Sequence, residues 1–489
     1  MEGGPSACNG PSLGRSPMAN EARVAENNRR RIRFRYEANP QMNAGPRQAG
    51  ESSPVIGAPR PVSIVKNPAF VRLWAIGGLT STMMWLDMLV IALLTLDLTG
   101  SPFLVSLTFF LRFTPMLFGF GIGVIADRMN RKRLMAFGLG VQMTVAAVLA
   151  TLVVTNAIDY WHLAVGALIT GAVMASEFPV RRTMIGEIVD PDRVGQAVAL
   201  ESGTSAGSRI LGPIIGGTFF ATVGPEGGFM LGVVLYGLAL LVALSMRYTP
   251  PGRETETSGP FQQIREGVSY IRGSRLMVGT LIVTLLMNVF GFPYVSQQPV
   301  VAREHLMVND VLVGALQSIE GLGAFIGAAL IVAFARPNHY TRIYLYGSLL
   351  FVVATIVFSR SDWYWFSFGT VFFGGFGMAS FAAMQSAIMI YAASPAMRAR
   401  VMGSVAMFIG LGPIGQINIG LLADLIDPRT AILITGGTGL FTLLLAAVAF
   451  PILRSGRAME LDRVQRLAQA EDLRAIDDSR ESTEPTGAN

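Results

Sequence analysis

The sequence predicts an all-α membrane protein of twelve transmembrane helices arranged as two pseudo-symmetric six-helix bundles. Three observations carry that prediction. Hydrophobic residues make up 51% of the 489 and charged residues only 14%, with mean hydropathy +0.49, where soluble domains carry about a quarter charged. Apolar runs follow one another with short polar breaks; at roughly 20 residues per span, twelve need about 240, and the chain has room for them. Cations crowd alternate breaks, the pattern expected where successive loops fall on opposite sides of a membrane.

Several function classes are excluded at this level. The single cysteine, Cys8, rules out a disulfide framework or thiolate metal cluster, and three scattered histidines, His162, His305 and His339, make no metal site. A net charge of +6 and pI near 9.7 suggest nucleic acid, yet no soluble basic domain carries them, and asymmetric loops account for the excess. Of 38 cations all but Lys66 and Lys132 are arginine, a bias that suggests GC-rich coding in a bacterium. No phosphate-binding loop or convergent nucleophile and base is visible, so neither a catalytic residue nor a cofactor is expected.

Taken in order, residues 1–68 are rich in Gly, Pro, Ser and Asn, with an arginine cluster at 29–33, and read as a disordered cytosolic tail without the apolar core of a secretory signal. Residues 69–248 form the first bundle, with spans near 71–97, 103–126, 134–155, 160–179, 196–223 and 228–246. In the linker 249–275, Phe261, Ile264, Val268 and Ile271 recur every three or four residues, describing an amphipathic helix on the membrane surface. The second bundle, 276–453, holds spans near 276–298, 310–335, 343–359, 363–392, 402–425 and 430–453, and a polar cytosolic tail, 454–489, closes the chain.

Between the second and third spans stands Gly123-Val124-Ile125-Ala126-Asp127-Arg128-Met129-Asn130-Arg131-Lys132-Arg133. A charged turn of this kind cannot sit inside lipid, so it lies at a surface. One set of alternate breaks holds Arg128, Arg131, Lys132, Arg133, Arg181, Arg182, Arg193, Arg247, Arg336, Arg342, Arg398 and Arg400, while the opposite set holds only Arg303, Arg360 and Arg429. Both termini and the linker are therefore expected in the cytosol. The halves also echo each other: Gly119 and Gly327, Arg128 and Arg336, and Asn130 and Asn338 all stand 208 residues apart, and Gly212-Pro213-Ile214-Ile215-Gly216 is answered by Gly412-Pro413-Ile414-Gly415.

These residues resemble the major facilitator superfamily, whose loop between helices 2 and 3 reads G-x-x-x-D-R-x-G-R-[KR]-[KR]. Asn130 replaces the usual Gly, and Asn is among the few residues that tolerate a left-handed turn. Asn67-Pro68-Ala69-Phe70, Leu98-Thr99-Gly100-Ser101-Pro102, Leu111-Arg112-Phe113-Thr114-Pro115 and Gly212-Pro213-Ile214-Ile215-Gly216-Gly217 are similar to stretches of the bacterial drug and siderophore exporters, the macrolide-efflux and enterobactin-export group. The last resembles the helix-5 antiporter motif at Gly212, Pro213, Gly216 and Gly217, with Ser208 where that motif has another Gly. The resemblance implies a cytosolic latch: Gly123 for close packing, Asp127 beside the start of helix 11, and Arg128 and Arg131 bridging the halves.

Ionisable groups inside spans are functional candidates by default. At about 1.5 Å per residue, Asp87 lies about 20 Å from the cytosolic edge, and Arg112, Arg209 and Glu320 fall at the same level. Two carboxylates and two guanidiniums there can neutralise one another, and Arg112 and Glu320 are again 208 apart. Asp87 is the candidate proton-coupling carboxylate, with Glu320 as rival. Arg112 and Arg209 are charge partners, or Arg209 binds an anionic substrate; a static ion-pair network is the structural alternative. Met83, Met84, Asn288 and Tyr294, with Met287, Phe290 and Gln297, are candidates for an adaptable cavity lining.

The expected function is proton-coupled efflux of a drug-like or siderophore-like small molecule by alternating access. The expected setting is a monomer in the bacterial inner membrane, its partners being substrate, protons and the lipid bilayer, with no nucleic acid. Import or facilitated passage of a metabolite or lipid is the mechanistic alternative, and a non-transporting membrane receptor or scaffold the alternative of another class.

Overall fold

A computed structural model describes residues 66–117, 130–190, 193–248, 267–394 and 397–455, and all regular structure among them is helical. The helices begin and end where local chemistry directs. Helix α1 (Pro68–Thr99) is capped by Asn67, whose side-chain oxygen accepts from the amides of Ala69 and Phe70, and it stops at Gly100, whose φ of +60° suits glycine. After α2 (Pro102–Leu117), α3 (Arg131–Val154) starts from Asn130. That asparagine has extended backbone (φ −68°, ψ 116°) and accepts from the amides of Lys132 and Arg133. It replaces the family's Gly as a helix cap, and the expected left-handed turn is not needed.

Helices α4 (Tyr160–Ile188), α5 (Val194–Thr222) and α6 (Pro225–Ser245) complete the first six. Helix α4 runs nine residues past its expected end at 179, which places Arg181 and Arg182 in the helix instead of a loop. The second six are α7 (Arg275–Glu304), α8 (Asp310–Phe334), α9 (Tyr340–Ser359), α10 (Tyr364–Ala392), α11 (Arg398–Leu425) and α12 (Pro428–Ala449). A π-helical turn, Met287–Gly291, interrupts α7, and α11 is broken between Ile409 and Gly412. Among the described residues, ten of these helices are long and apolar enough to cross a membrane; α2 is described for only 16 residues, and α5 carries Glu201 and Arg209.

Glycine faces bring the helices to backbone contact. A methyl group on Gly171 of α4 would overlap the carbonyl of Arg112 in α2, and one on Gly375 of α10 would overlap the carbonyl of Glu320 in α8. The two charged residues 208 apart thus ride on corresponding helix pairs. Among the described residues, the two most extensive helix contacts between the halves are built the same way. Helix α5 meets α8 where Gly217 and Gly314 face each other, and α2 meets α11 where a Cβ on Gly420 would lie 2.6 Å from that of Ser106. Ser106 and Gly314 are themselves 208 apart, so each half offers the same position to the other's fifth helix. Gly314→Val is expected to destabilise the protein by about 1–3 kcal/mol through overpacking, read as a lower unfolding midpoint in detergent. Gly437→Ala, where no atom lies within 4 Å of the new methyl, leaves the midpoint unchanged or raised.

Only the end of the linker is described. A helical turn at 267–272 buries Ile271 against Met277, Met389 and Val401, and the Tyr270 hydroxyl accepts from the Ser394 amide at 3.0 Å. This end packs on the second half, where Ile271 meets helix ends. Phe261 and Ile264 lie outside the described residues, as do 1–65 and 456–489 of the two tails.

Candidate functional site

Asp87 of α1 and Arg112 of α2 are each 5% exposed, and Arg112 Nη1 donates to Asp87 Oδ2 at 2.6 Å. The pair lies within the first half, with buried Tyr236 of α6 beside it. Neither charge has access to bulk water, so each depends on the other for its solvation.

The second pair crosses between the halves. Arg209 Nη2 of α5 donates to Glu320 Oε1 of α8 at 3.1 Å, while the guanidinium carbon stands 4.6 Å from the Trp85 ring centre. The Tyr294 hydroxyl faces the same carboxylate. Around them Met88, Phe109, Gln298 and Gln317 close the space to about 10 Å³, enough for about one water. Of the residues expected to line a cavity, Tyr294 is here, its ring 5.6 Å from that of Phe351. Met84 borders a different cavity inside the first half. Met83 is packed against Gly232 and Ala146, Met287 is fully buried, and the Asn288 side-chain amide donates to the Thr284 carbonyl at 2.9 Å within the π-helical turn.

A third cluster escaped the sequence reading. Arg181 of α4 donates from Nε to Glu201 Oε1 of α5 at 2.8 Å, and from Nη1 to Glu177 Oε1 at 2.8 Å and Thr80 of α1 at 3.1 Å. All three charged side chains are less than 10% exposed. Arg181 had the look of a loop cation because Glu177, Arg181 and Arg182 together interrupt the apolar run. The available signal was the four-residue spacing of Glu177 and Arg181, which puts opposite charges on one helix face.

Contacts between the halves gather toward the end that carries the α1–α2 turn. Arg303 at the end of α7 pairs with Asp97 of α1 and, at 2.8 Å, with Asp310 of α8. Ser101 donates to Asp424 at 2.8 Å, and the Gln297 amide donates to the Pro102 carbonyl at 2.9 Å and to Ser106 at 2.7 Å. This end is closed. At the opposite end, hydrogen bonds among the described residues include two that run within a half: the Asn67 amide donates to the Ile188 carbonyl at 3.1 Å, and Thr341 to the Ser455 carbonyl at 3.0 Å.

The model of the transmembrane secretion effector family matches residues 60–480. The chain belongs to that family. It is a membrane transporter of the major facilitator type. It is 23% identical over 409 residues to macrolide efflux protein A of Streptococcus pyogenes, covering 80% of this chain and 97% of that protein. It is 22% identical over 249 residues to the staphyloferrin A transporter of Staphylococcus aureus, covering 50% of this chain and 62%, less than two thirds, of that one. Among solved structures it resembles the nucleoside transporter NupG (TM-score 0.60, 14% identity, 79% of this chain and 98% of that one). It also resembles a bacterial homologue of the human lysosomal transporter Spinster, inward-facing and unoccupied (TM-score 0.59, 15% identity, 81% and 96%). At such identities these last two speak for the fold alone.

In this secretion-effector transporter Gly123, Asp127 and Arg128 of the loop motif lie outside the described residues. Arg131 is described, and it pairs with Glu187 of α4 in its own half, next to Tyr248. Burial raises the Tyr248 phenol above its usual range, and its bond to Glu187 adds to that. The helix-5 motif sits at a junction of three helices: Gly212 and Gly216 face α1 at Trp85 and Leu86, while Pro213 and Gly217 face α8. Ser208, where the motif has Gly, bonds Thr82 of α1 at 2.9 Å.

Proposed function

We propose that this transporter exports a drug-like or siderophore-like small molecule in exchange for protons, by alternating access across the bacterial inner membrane. The observation that carries the reading is the arrangement of the two ion pairs. Asp87–Arg112 is held within one half, where it can change protonation without breaking the molecule apart, and Arg209–Glu320 bridges the halves, where it must break when they rock. Names of relatives, a macrolide efflux protein and a staphyloferrin transporter, support the class of cargo.

In this reading both termini lie in the cytosol, so that the closed end faces outward and the conformation is inward-facing; the excess of cations in alternate loops supports it. In the proposed cycle a proton on Asp87 frees Arg112 from its counter-charge, and loss of that proton restores the pair. The substrate binds between the halves, where Trp85, Phe109, Tyr294 and the amides of Gln298 and Gln317 offer an amphipathic lining once Arg209 and Glu320 separate. Glu320 is the second proton-accepting candidate. The chemistry asked of these residues is binding and proton exchange, with no covalent step, and the transporter acts as a monomer.

The experiment is a panel of macrolides and siderophores in a strain lacking its own efflux pumps, with and without a protonophore. Expression is expected to raise resistance or extracellular accumulation, and the protonophore to abolish the gain. Transport indifferent to the protonophore overturns proton exchange and leaves facilitated passage.

A further inference from the structure

The Glu177–Arg181–Glu201 cluster has no part in the cycle above, yet it does not stand apart from it. Between it and the Asp87–Arg112 pair lies a cavity of about 90 Å³, bordered by Ser81, Arg112, Gln142, Glu177, Arg181 and Tyr236. That is room for several waters, provided polar partners exist. They do: Arg112 Nε and Gln142 Oε1, both on residues 5% exposed, have no hydrogen-bond partner among the described residues. One is a donor and the other an acceptor, the combination that a bound water satisfies.

Charge points the same way. Two buried carboxylates share one buried guanidinium, while Arg182 is half exposed and 4.0 Å from Glu201 Oε2. Glu201 is held by Arg181 and approached by Arg182; Glu177 borders the cavity. Along the helices, Glu177 is about 26 Å from the closed end of α4 and Asp87 about 18 Å from the closed end of α1. Glu177 is therefore displaced by about 8 Å toward the open end.

We propose that Glu177 exchanges protons with Asp87 through water held in this cavity and passes them to the open end, with Arg181 as its positioning residue. The inference rests on the proton-coupled reading. In the step, the O–H bond of protonated Asp87 breaks, a proton moves along the water, and an O–H bond forms on the Glu177 carboxylate. Arg112 then re-pairs with the Asp87 carboxylate, and Glu177 gives the proton to bulk water at the open end. Total charge is unchanged. Glu177 faces Arg181 on its own helix, with Glu201 on the far side of that guanidinium and Arg182 beyond it, and Arg112 and Tyr236 across the cavity; Asp87 stands behind Arg112, on a neighbouring cavity that shares Gln142 and Tyr236.

The test uses the full chain in liposomes with the proton alone as probe, read as infrared carboxyl absorption after a pH jump. Two exchanging signals are expected, one lost in Asp87→Asn and the other in Glu177→Gln. Loss of the relay acid slows the Asp87 signal by about a hundredfold or more, the low side of what a positioned acid contributes, and Glu177→Asp restores the rate. Ser205→Val narrows the same cavity without removing a charge and is expected to slow the Asp87 signal too, which decides the matter if Glu177→Gln does not fold. An Asp87 signal of unchanged rate in the folded variants overturns the relay and leaves coupling at Asp87 intact. A spectrum in which Asp87→Asn removes nothing overturns the coupling reading itself.

Discussion

Asp87→Asn is expected to leave the transporter inserted in the membrane but to reduce extrusion against a gradient to the passive level. The amide keeps the shape of the carboxylate and cannot exchange a proton. Its partner is then left exposed to the full cost of burial: Arg112 is 5% exposed and loses a bond of 2.6 Å. Removing one member of such a pair costs about 3–5 kcal/mol, so the single variant also unfolds at a lower temperature. The double variant Asp87→Asn/Arg112→Gln separates the two effects, since it removes the stranded charge along with its partner. Its unfolding midpoint should recover while protonophore-sensitive efflux stays absent. Efflux against a gradient by the double variant would make the pair a structural ion bridge.

Glu320→Gln is expected to open the closed end. Arg209–Glu320 ties α5 to α8 at mid-depth, and every 1.4 kcal/mol withdrawn from one conformer changes the population ratio about tenfold. Arg303 still joins α1 and α7 in this variant, so opening is partial. Spin labels at Thr222 and Met307, both exposed and in opposite halves near that end, report it as a longer distance component. Transport falls because the conformer closed at that end is no longer held long enough to release and reload. Glu320→Asp, which preserves the charge, is expected to retain most of both properties. An unchanged distance distribution together with unchanged transport would show that the bridge holds nothing.

Asp87, Arg112, Arg209 and Glu320 were legible because a charge within an apolar run stands out in one dimension, and a rise of about 1.5 Å per residue converts position into depth. Their pairing was not legible. Arg209 and Glu320 are 111 residues apart, and nothing periodic in the sequence records that α5 lies on α8. Arg181 shows the converse failure. Three charges within six residues mark a loop by hydropathy, and only the arrival of Glu201 from another helix makes a buried helical turn of them affordable. Met83 was offered as a cavity wall on residue type alone, whereas its neighbours Gly232 and Ala146 place it in packing. Asn130 was placed correctly at the turn but for the wrong conformation, since cap and left-handed turn select the same residue.

By itself the sequence determined the class of molecule, the order of its spans, the level of its buried charges and the duplication that relates Arg112 to Glu320. It could do so because a bilayer imposes length and polarity on each segment separately. Only the tertiary structure decided that one ion pair lies inside a half and the other between halves, that one end is closed, and that Arg112 and Glu177 border one cavity. Those facts depend on which glycine face meets which neighbour, a choice made by packing between helices distant in the chain.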